Sequence, residues 1–93
     1  MKIEFAAIKM FPQSLSEGDY KIVSLPVPNG HEEIIQYFKI PKLQILKKGF
    51  ITSTGEFVGR KKAWKIACEA NQILPKPAKN PGKLHTTDID WSK

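Results

Sequence analysis

The chain has little of what disulfide-bonded, metal-bound or membrane proteins require. Its 93 residues contain a single cysteine, Cys68, which excludes an internal disulfide and a zinc site built on cysteines. No apolar run approaches the roughly 18–20 residues of a membrane-spanning helix, so we predict no membrane contact. A P-loop, a dinucleotide-binding glycine fingerprint, a nucleophile elbow and a strong metal motif are also absent. We therefore expect a small domain from a reducing cytoplasm, with no metal and no cofactor.

Charge is unevenly distributed along the chain. Residues 1–40 carry four lysines against five acidic residues, whereas residues 41–93 carry eleven lysines and arginines against four acidic residues. The net charge of +6 therefore belongs to the second half of the chain. Such a basic half indicates nucleic acid, an acidic protein or a phosphorylated ligand as the partner. The alternative is a lysine-rich surface that serves solubility alone.

Alternating apolar residues predict a small antiparallel sheet. Residues 1–10 and 20–27 alternate as half-buried strands do, and residues 12–19 between them are rich in loop formers. Pro26 and Pro28 cannot donate ladder hydrogen bonds, so the second of these strands is expected to lie at a sheet edge or to end there. Residues 50–58 indicate a hairpin, because two β-prone runs flank a turn that ends in glycine. Together with two helical segments, this order predicts an α+β fold.

Two segments show the spacing of amphipathic helices. In the first, Asn29 is the predicted N-cap, and Glu32 completes a capping box if Gly30 is the first helical residue. Pro41 ends this helix. The second helix is predicted over residues 60–72, whose alanines and isoleucines fill one continuous arc of the helical wheel.

Beyond Leu74 the composition becomes that of an extended arm. Residues 75–83 contain three prolines and three lysines, a composition that favours an extended chain. Apolar residues further on provide anchors by which the arm docks on the domain, namely Leu84, Ile89 and Trp91. We therefore predict one compact domain over residues 1–74 and a C-terminal arm over residues 75–93.

The start of the second helix is the strongest candidate for an anion-binding site. Helix N-termini favour acidic residues because the macrodipole is positive there. This helix begins instead with three cations, Arg60, Lys61 and Lys62. Gly59 occupies the cap position, so the cap residue offers no side chain to the free backbone N–H groups. Cations together with free N–H groups favour an anion. The alternative is a solvated turn that tolerates its own charge repulsion.

Arg60 is the residue that we expect to be central to this site. Trp64 lies one turn further along the helix, so its indole can support a guanidinium that holds a phosphate or carboxylate. Replacing Arg60 by alanine is then expected to abolish binding at little cost in stability. The alternative is a structural arginine that caps carbonyl groups of the hairpin. The full predicted set for anion or partner binding is Ser53, Thr54, Arg60, Lys61, Lys62, Trp64 and Lys65.

His31 lies on the apolar face of the first predicted helix. A lone histidine at such a position is more often a packed residue than a catalyst. If it lies beside Arg60, the pair could bind and protonate a phosphate oxygen. Nothing in their spacing along the chain requires the two residues to meet.

The segment GFITSTGEFVGRKKAWKIA at residues 49–67 resembles the centre of a family of small, uncharacterised phage and prophage proteins. A histidine that opens a helix and a C-terminal segment similar to residues 84–89 extend the resemblance, which implies a phage-type origin. Glu56 stands where the family has arginine, and Gly59 stands where it has an aspartate or asparagine cap. The matching positions are His31, Thr52, Ser53, Gly55, Phe57, Arg60 and Gln72.

These observations predict a non-enzymatic binding protein of phage-accessory type, whose basic second half contacts nucleic acid or an acidic host protein. Base-specific reading is not expected, because helix-turn-helix, zinc-finger, RRM and KH signatures are absent. The alternative is an enzyme or sensor for a nucleotide or another phosphorylated small molecule, with His31 as acid or base and Arg60 binding the anion. In either case we expect the protein in the cytoplasm, that of the host cell if a phage encodes it.

Overall fold

The computed structural model describes residues 1–11, 20–27, 29–75 and 81–91. The predicted loop over residues 12–19 and parts of the predicted arm lie outside the described residues. Within the described residues, four strands and two α-helices form an α+β fold, as the sequence predicts.

A four-stranded antiparallel sheet forms the centre of the fold. Its strands are β1 (Ile3–Met10), β2 (Lys21–Ser24), β3 (Ile45–Thr52) and β4 (Phe57–Gly59), in the spatial order β2-β1-β3-β4. Every pair of neighbouring strands is antiparallel. β2 is shorter than predicted, since it ends at Ser24, before Pro26, and it lies at a sheet edge. β3 begins earlier than the predicted hairpin, since Lys47 and Lys48 pair with β1. The sequence did not predict this part of the strand because the two lysines interrupt its apolar pattern.

Both helices, α1 (His31–Phe38) and α2 (Arg60–Glu69), pack on the same face of the sheet. The core contains Ile8, Ile34, Phe50, Ala63 and Ala67. Burying a large apolar side chain contributes about 1.5–3 kcal/mol, so packing holds these short helices more than helix propensity does. No helix within the described residues has the length and apolarity needed to cross a bilayer.

α1 begins one residue later than predicted and has a different cap. Gly30 is the N-cap, and its N–H donates to the carboxylate of Glu33 at 3.0 Å, the role predicted for Glu32. Asn29, the predicted cap, instead donates from its side chain to the carbonyl of Pro26 at 2.6 Å. That bond closes the turn before the helix, so the Asn29 side chain is not available to cap it. The first turn of α1 is acidic, which its macrodipole favours.

α2 ends earlier than predicted, and the early end changes the role of Gln72. The helix stops at Glu69, and Asn71 adopts a left-handed conformation with φ 57°. Gln72 is therefore buried rather than placed on the polar helix face. Its side chain accepts the N–H of Ile3 at 2.8 Å and donates to the Ile3 carbonyl at 2.9 Å. One amide side chain thus pairs with β1 as the backbone of a neighbouring strand would.

The last described segment packs beside the start of α2. Leu84 and Ile89 are buried, and Trp91 is partly buried against the core. The N–H of Leu84 donates to the carbonyl of Arg60 at 3.0 Å. This bond holds Lys83, the preceding residue, next to the first turn of α2.

Candidate functional site

A groove of about 770 Å³ lies where β3, β4 and α2 meet. The cations that line it are Lys47, Lys48, Arg60, Lys61, Lys62 and Lys83. The other described residues that line it are Ile45, Leu46, Phe57, Val58 and Gly59. No acidic side chain is among them, so the groove combines an apolar wall with a concentrated positive charge. Such a concave, single-sign surface attracts anions from solution.

One of the six cations is partly neutralised from outside the groove. Nζ of Lys62 lies 3.1 Å from Oε1 of Glu56, with which it forms an ion pair. Both side chains are largely exposed, and exposed ion pairs contribute only about 0–1 kcal/mol. The described residues contain no cluster of His, Cys, Asp and Glu that could hold a metal ion. The electrostatics of the groove therefore favour an anion.

The charges at the start of α2 oppose its macrodipole. The first turn contains Arg60, Lys61 and Lys62 and no acidic residue, and the N-cap Gly59 makes no side-chain hydrogen bond. Lys47 adds a fourth cation, because a Cβ built on Gly59 would lie 2.8 Å from its Nζ. The absence of a side chain at Gly59 thus makes room for Lys47. An anion bound here would relieve both the charge repulsion and the uncapped N–H groups.

The structure brings His31 and Arg60 together behind the groove. Nη2 of Arg60 lies 3.5 Å from Nδ1 of His31, at the long end of the hydrogen-bonding range. Nε2 of His31 donates to the carbonyl of Gly49 at 2.8 Å, so the neutral ring carries its proton there. Nδ1 is then the acceptor that faces Arg60. The ring also packs edge-on against Phe50, with centroids 5.2 Å apart.

Burial lowers the pKa of His31 below its ordinary value of 6.5, because a buried site disfavours the charged imidazolium. The hydrogen bond to Gly49 acts in the opposite direction, while the nearby charges of Arg60 and Lys48 and the neighbouring His85 lower the pKa further. His31 is therefore neutral at pH 7. Protein groups thus engage both of its nitrogens, the Gly49 carbonyl at Nε2 and Arg60 at Nδ1.

Arg60 differs from the exposed cation that the sequence predicts. Its side chain is partly buried, and its Nε is buried with no hydrogen-bond partner among the described residues. It contacts His31 and is not stacked on Trp64, since the cation–π contacts between described residues both belong to Lys9. A guanidinium has five N–H donors, so Arg60 keeps donors for a ligand in the groove. Its replacement should cost more stability than the sequence predicts.

Ser53 and Thr54, which belong to the predicted binding set, lie away from the groove. They occupy the turn of the hairpin and are not among the residues that line the groove. The Ser53 hydroxyl accepts the backbone N–H of Lys2 at 3.1 Å. The Thr54 hydroxyl lies 2.9 Å from that of Thr52. Both hydroxyls thus stabilise the turn and its contact with the chain start.

Trp64 and Lys65 also lie outside the groove lining, whereas Arg60, Lys61 and Lys62 of the predicted set belong to it. Trp64 is partly buried against the core. Lys65 is exposed one turn further along α2. Of the predicted binding set, only the three cations of the first turn of α2 line the groove. The other four residues lie outside its lining.

Lys47, Lys48 and Lys83 are groove residues that sequence reasoning missed. The first two precede the predicted hairpin and the third lies in the predicted arm, so no local pattern joins them to α2. The sheet register, which sets Gly49 opposite Gly59, brings the lysines of β3 to the start of the helix. One feature of the sequence could have indicated Lys47 and Lys48: they stand directly before a β-prone run, and lysines are frequent at exposed strand edges.

Comparison with known proteins identifies the family. The family model described as "Phage T4 y16D protein" matches residues 2–90, a range that includes every strand and helix described above. The chain belongs to the phage T4 y16D protein family. This y16D membership confirms the resemblance to a family of small phage proteins. No curated protein and no solved structure gives a significant match.

Proposed function

We propose that this member of a phage protein family is a non-enzymatic binding protein that takes an acidic segment of a host protein into its basic groove. The lining of the groove carries the proposal: six cations, apolar side chains and no acidic group among the described residues. Carboxylates are attracted electrostatically to such a surface. The apolar side chains of Ile45 and Leu46 suit the side chains of a peptide better than a chain of phosphates.

Nucleic acid is the other partner that so basic a surface can bind. Sequence-tolerant binding of single strands depends on aromatic rings on which bases stack. Phe57 is the aromatic residue of the groove, and a Cβ built on Gly49 would lie 2.6 Å from its Cζ. Nζ of Lys9 also lies 5.4 Å from the centre of this ring. Because Phe57 already packs on the sheet and contacts Lys9, we favour an acidic protein segment.

An enzyme or sensor for a nucleotide or phosphorylated small molecule remains the alternative. The 3.5 Å contact between His31 and Arg60 favours a coupled role for the two residues. However, His31 is buried, and proton transfer to a substrate needs a ring nitrogen within reach of that substrate. Anion binding by Arg60 needs no such nitrogen, so the binding function is better supported.

Binding of a fluorescein-labelled octaglutamate peptide tests the proposal, measured by fluorescence anisotropy beside single- and double-stranded DNA of similar charge. The variant Lys61→Ala/Lys83→Ala removes two exposed groove cations. The control Lys21→Ala/Lys65→Ala removes the same charge from exposed positions outside the groove lining. We expect the groove variant to lose at least about tenfold in peptide affinity, and the control less than about twofold.

Two results would count against the proposal. Equal losses of peptide affinity in both double variants would indicate attraction by the overall charge of the protein and would show that the groove is not the binding site. Tighter binding of either DNA, with the steep salt dependence of counterion release, would assign the groove to nucleic acid instead.

A further inference from the structure

We infer that the groove receives its acidic partner as an extended strand, which pairs with the free edge of β3 and continues the line of β4. The inference rests on the proposed function and specifies how that site binds. Its basis is the difference in length between β3, Ile45–Thr52, and β4, Phe57–Gly59. Extended peptides commonly bind by adding a strand to an exposed sheet edge.

β4 covers only the second half of β3. Its register ends at Gly59, opposite Gly49, where the chain leaves the sheet to begin α2. On its other side, β3 pairs with β1 as far as its first residue, Ile45. Among the described residues, no strand pairs with residues 45–48 on the β4 side. These are the residues of β3 that line the groove, so the groove is an empty strand position.

Hydrogen bonds at the hairpin turn identify which backbone groups face this edge. The N–H of Thr52 donates to the carbonyl of Glu56, across the hairpin, at 2.9 Å. The N–H of the next residue, Ser53, donates in the opposite direction, to the carbonyl of Lys2 at 2.8 Å. Because successive residues of a strand direct their backbone groups to opposite sides, every second residue from Thr52 back to Lys48 faces the β4 side. Lys48 lies beyond the end of β4, so its N–H faces the groove.

Charge complementarity selects an acidic strand over a second copy of this chain. Lys47 and Lys48 are successive, so their side chains project to opposite faces of the sheet and place a cation on each. A second β3 would bring these lysines against identical ones, and like charges on paired strands are destabilising. Lysines at an edge in this way discourage self-association. A strand with acidic side chains on both faces would meet opposite charge throughout.

Leu46 gives the incoming strand an apolar contact at the same edge. Consecutive residues of β1 pair with Lys47 and then with Ile45, so Leu46 is the extra residue of a bulge. Its side chain is 44% exposed and lines the groove. A bulge increases local twist and ends regular pairing, which limits the available edge to about four residues. The expected ligand is therefore a short extended segment with acidic and apolar residues.

Three versions of one peptide of alternating glutamate and valine test the pairing on the whole protein. One version is unmodified, and the other two carry N-methyl groups on odd or on even amides. Each methylated peptide lacks N–H donors along one edge while its side chains and charge are unchanged. We expect their affinities to differ at least about tenfold, because only one edge of the bound strand faces β3. We also expect the unmodified peptide to slow hydrogen exchange of the Lys48 amide, measured by NMR.

The possible failures separate the pairing from the proposed function. Equal affinities of the two methylated peptides, with the unmodified peptide still bound, would overturn strand pairing and leave acidic-partner binding intact. Failure of all three peptides to bind would overturn both. Formation of a dimer without peptide, detected by sedimentation, together with loss of the dimer on substitution of Leu46, would assign the edge to a second copy.

Discussion

The two helices of this chain begin in opposite electrostatic states. Both have a glycine as N-cap, Gly30 in α1 and Gly59 in α2, and neither glycine can provide a capping side chain. The first turn of α1 contains two glutamates, and one of them accepts the N–H of Gly30. The first turn of α2 contains three cations and no acidic residue. The start of α1 is completed within the chain, whereas we propose that a partner completes the start of α2.

The charges at the two helix starts have a considerable effect on the stability of so small a domain. Each charge near a helix N-terminus changes stability by about 0.3–1 kcal/mol, favourably for an acidic residue and unfavourably for a cation. A domain of this kind has a total stability of about 5–15 kcal/mol. The three cations in the first turn of α2, with Lys47 beside them, therefore lower the stability of the domain by a noticeable fraction. Binding of an anion would explain why the chain carries them.

Truncating a buried side chain should cost similar stability in either helix, which would restrict the contrast between the two helices to their N-termini. Ile34 of α1 and Ile66 of α2 are both buried in the core. Ile34→Ala and Ile66→Ala should each lower the free energy of unfolding by about 2–5 kcal/mol, because each leaves a cavity. Urea denaturation followed by circular dichroism measures both. A loss below about 1 kcal/mol in either variant would show that the helix concerned is not held by its core contacts.

The two N-cap glycines should respond differently to alanine. A Cβ at Gly30 would lie 2.8 Å from the hydroxyl oxygen of Thr86, in a packed part of the domain. A Cβ at Gly59 would meet the flexible end of Lys47. Gly30→Ala should therefore cost about 1–3 kcal/mol through overpacking, and Gly59→Ala less than about 0.5 kcal/mol. Thermal unfolding compares the two, and equal costs would show that the end of the Lys47 side chain cannot move away from a Cβ at position 59.

Two substitutions of Glu33 distinguish the effect of its charge on stability from the effect of its hydrogen bond with Gly30. Glu33→Ala removes both the carboxylate and the acceptor for the N–H of Gly30, and should cost about 0.5–1.5 kcal/mol. Glu33→Gln keeps an acceptor and removes only the charge, so its cost should be smaller. Thermal unfolding at low and high salt measures the difference. Equal costs for the two variants would mean that the charge alone stabilises this end.

His31, the first residue of α1, predicts a modest pH dependence of stability. Its folded pKa is lowered below the ordinary value of 6.5, so the unfolded chain takes up the proton first as pH falls. The contribution of the neutral ring is thus complete above about pH 6.5 and is lost progressively below it. His31→Gln, which retains a donor for the Gly49 carbonyl, should flatten the fall in Tm between about pH 7 and pH 5. An identical fall in both proteins would contradict a buried, neutral His31.

The features that local patterns could predict are those with local causes. The hairpin follows from two β-prone runs and a glycine with φ 85° at Gly55, a conformation that residues with a Cβ rarely adopt. The cationic first turn of α2 is visible in three consecutive residues. The α+β order also follows from the pattern of apolar residues, because the helical and strand periods differ.

The features that were missed depend on contacts between distant parts of the chain. Gln72 is buried because Asn71 turns the chain and because Ile3 offers a backbone edge 69 residues away. His31 meets Arg60 because strand β3 passes beneath both, a consequence of sheet register. Lys47 reaches Gly59 for the same reason. No periodicity within one segment carries this information.

The charge reversal Lys61→Glu tests the central claim most directly, because it changes the stability and the binding of the same helix start. An acidic residue in the first turn suits the macrodipole, so the Tm should rise by about 2–6 °C. Affinity for the acidic peptide should fall at least about tenfold, because an attraction becomes a repulsion. Lys65→Glu, the same charge change one turn later, should alter both quantities much less. A rise in Tm together with a loss of binding is the predicted result, and a lower Tm or an unchanged affinity would contradict the account.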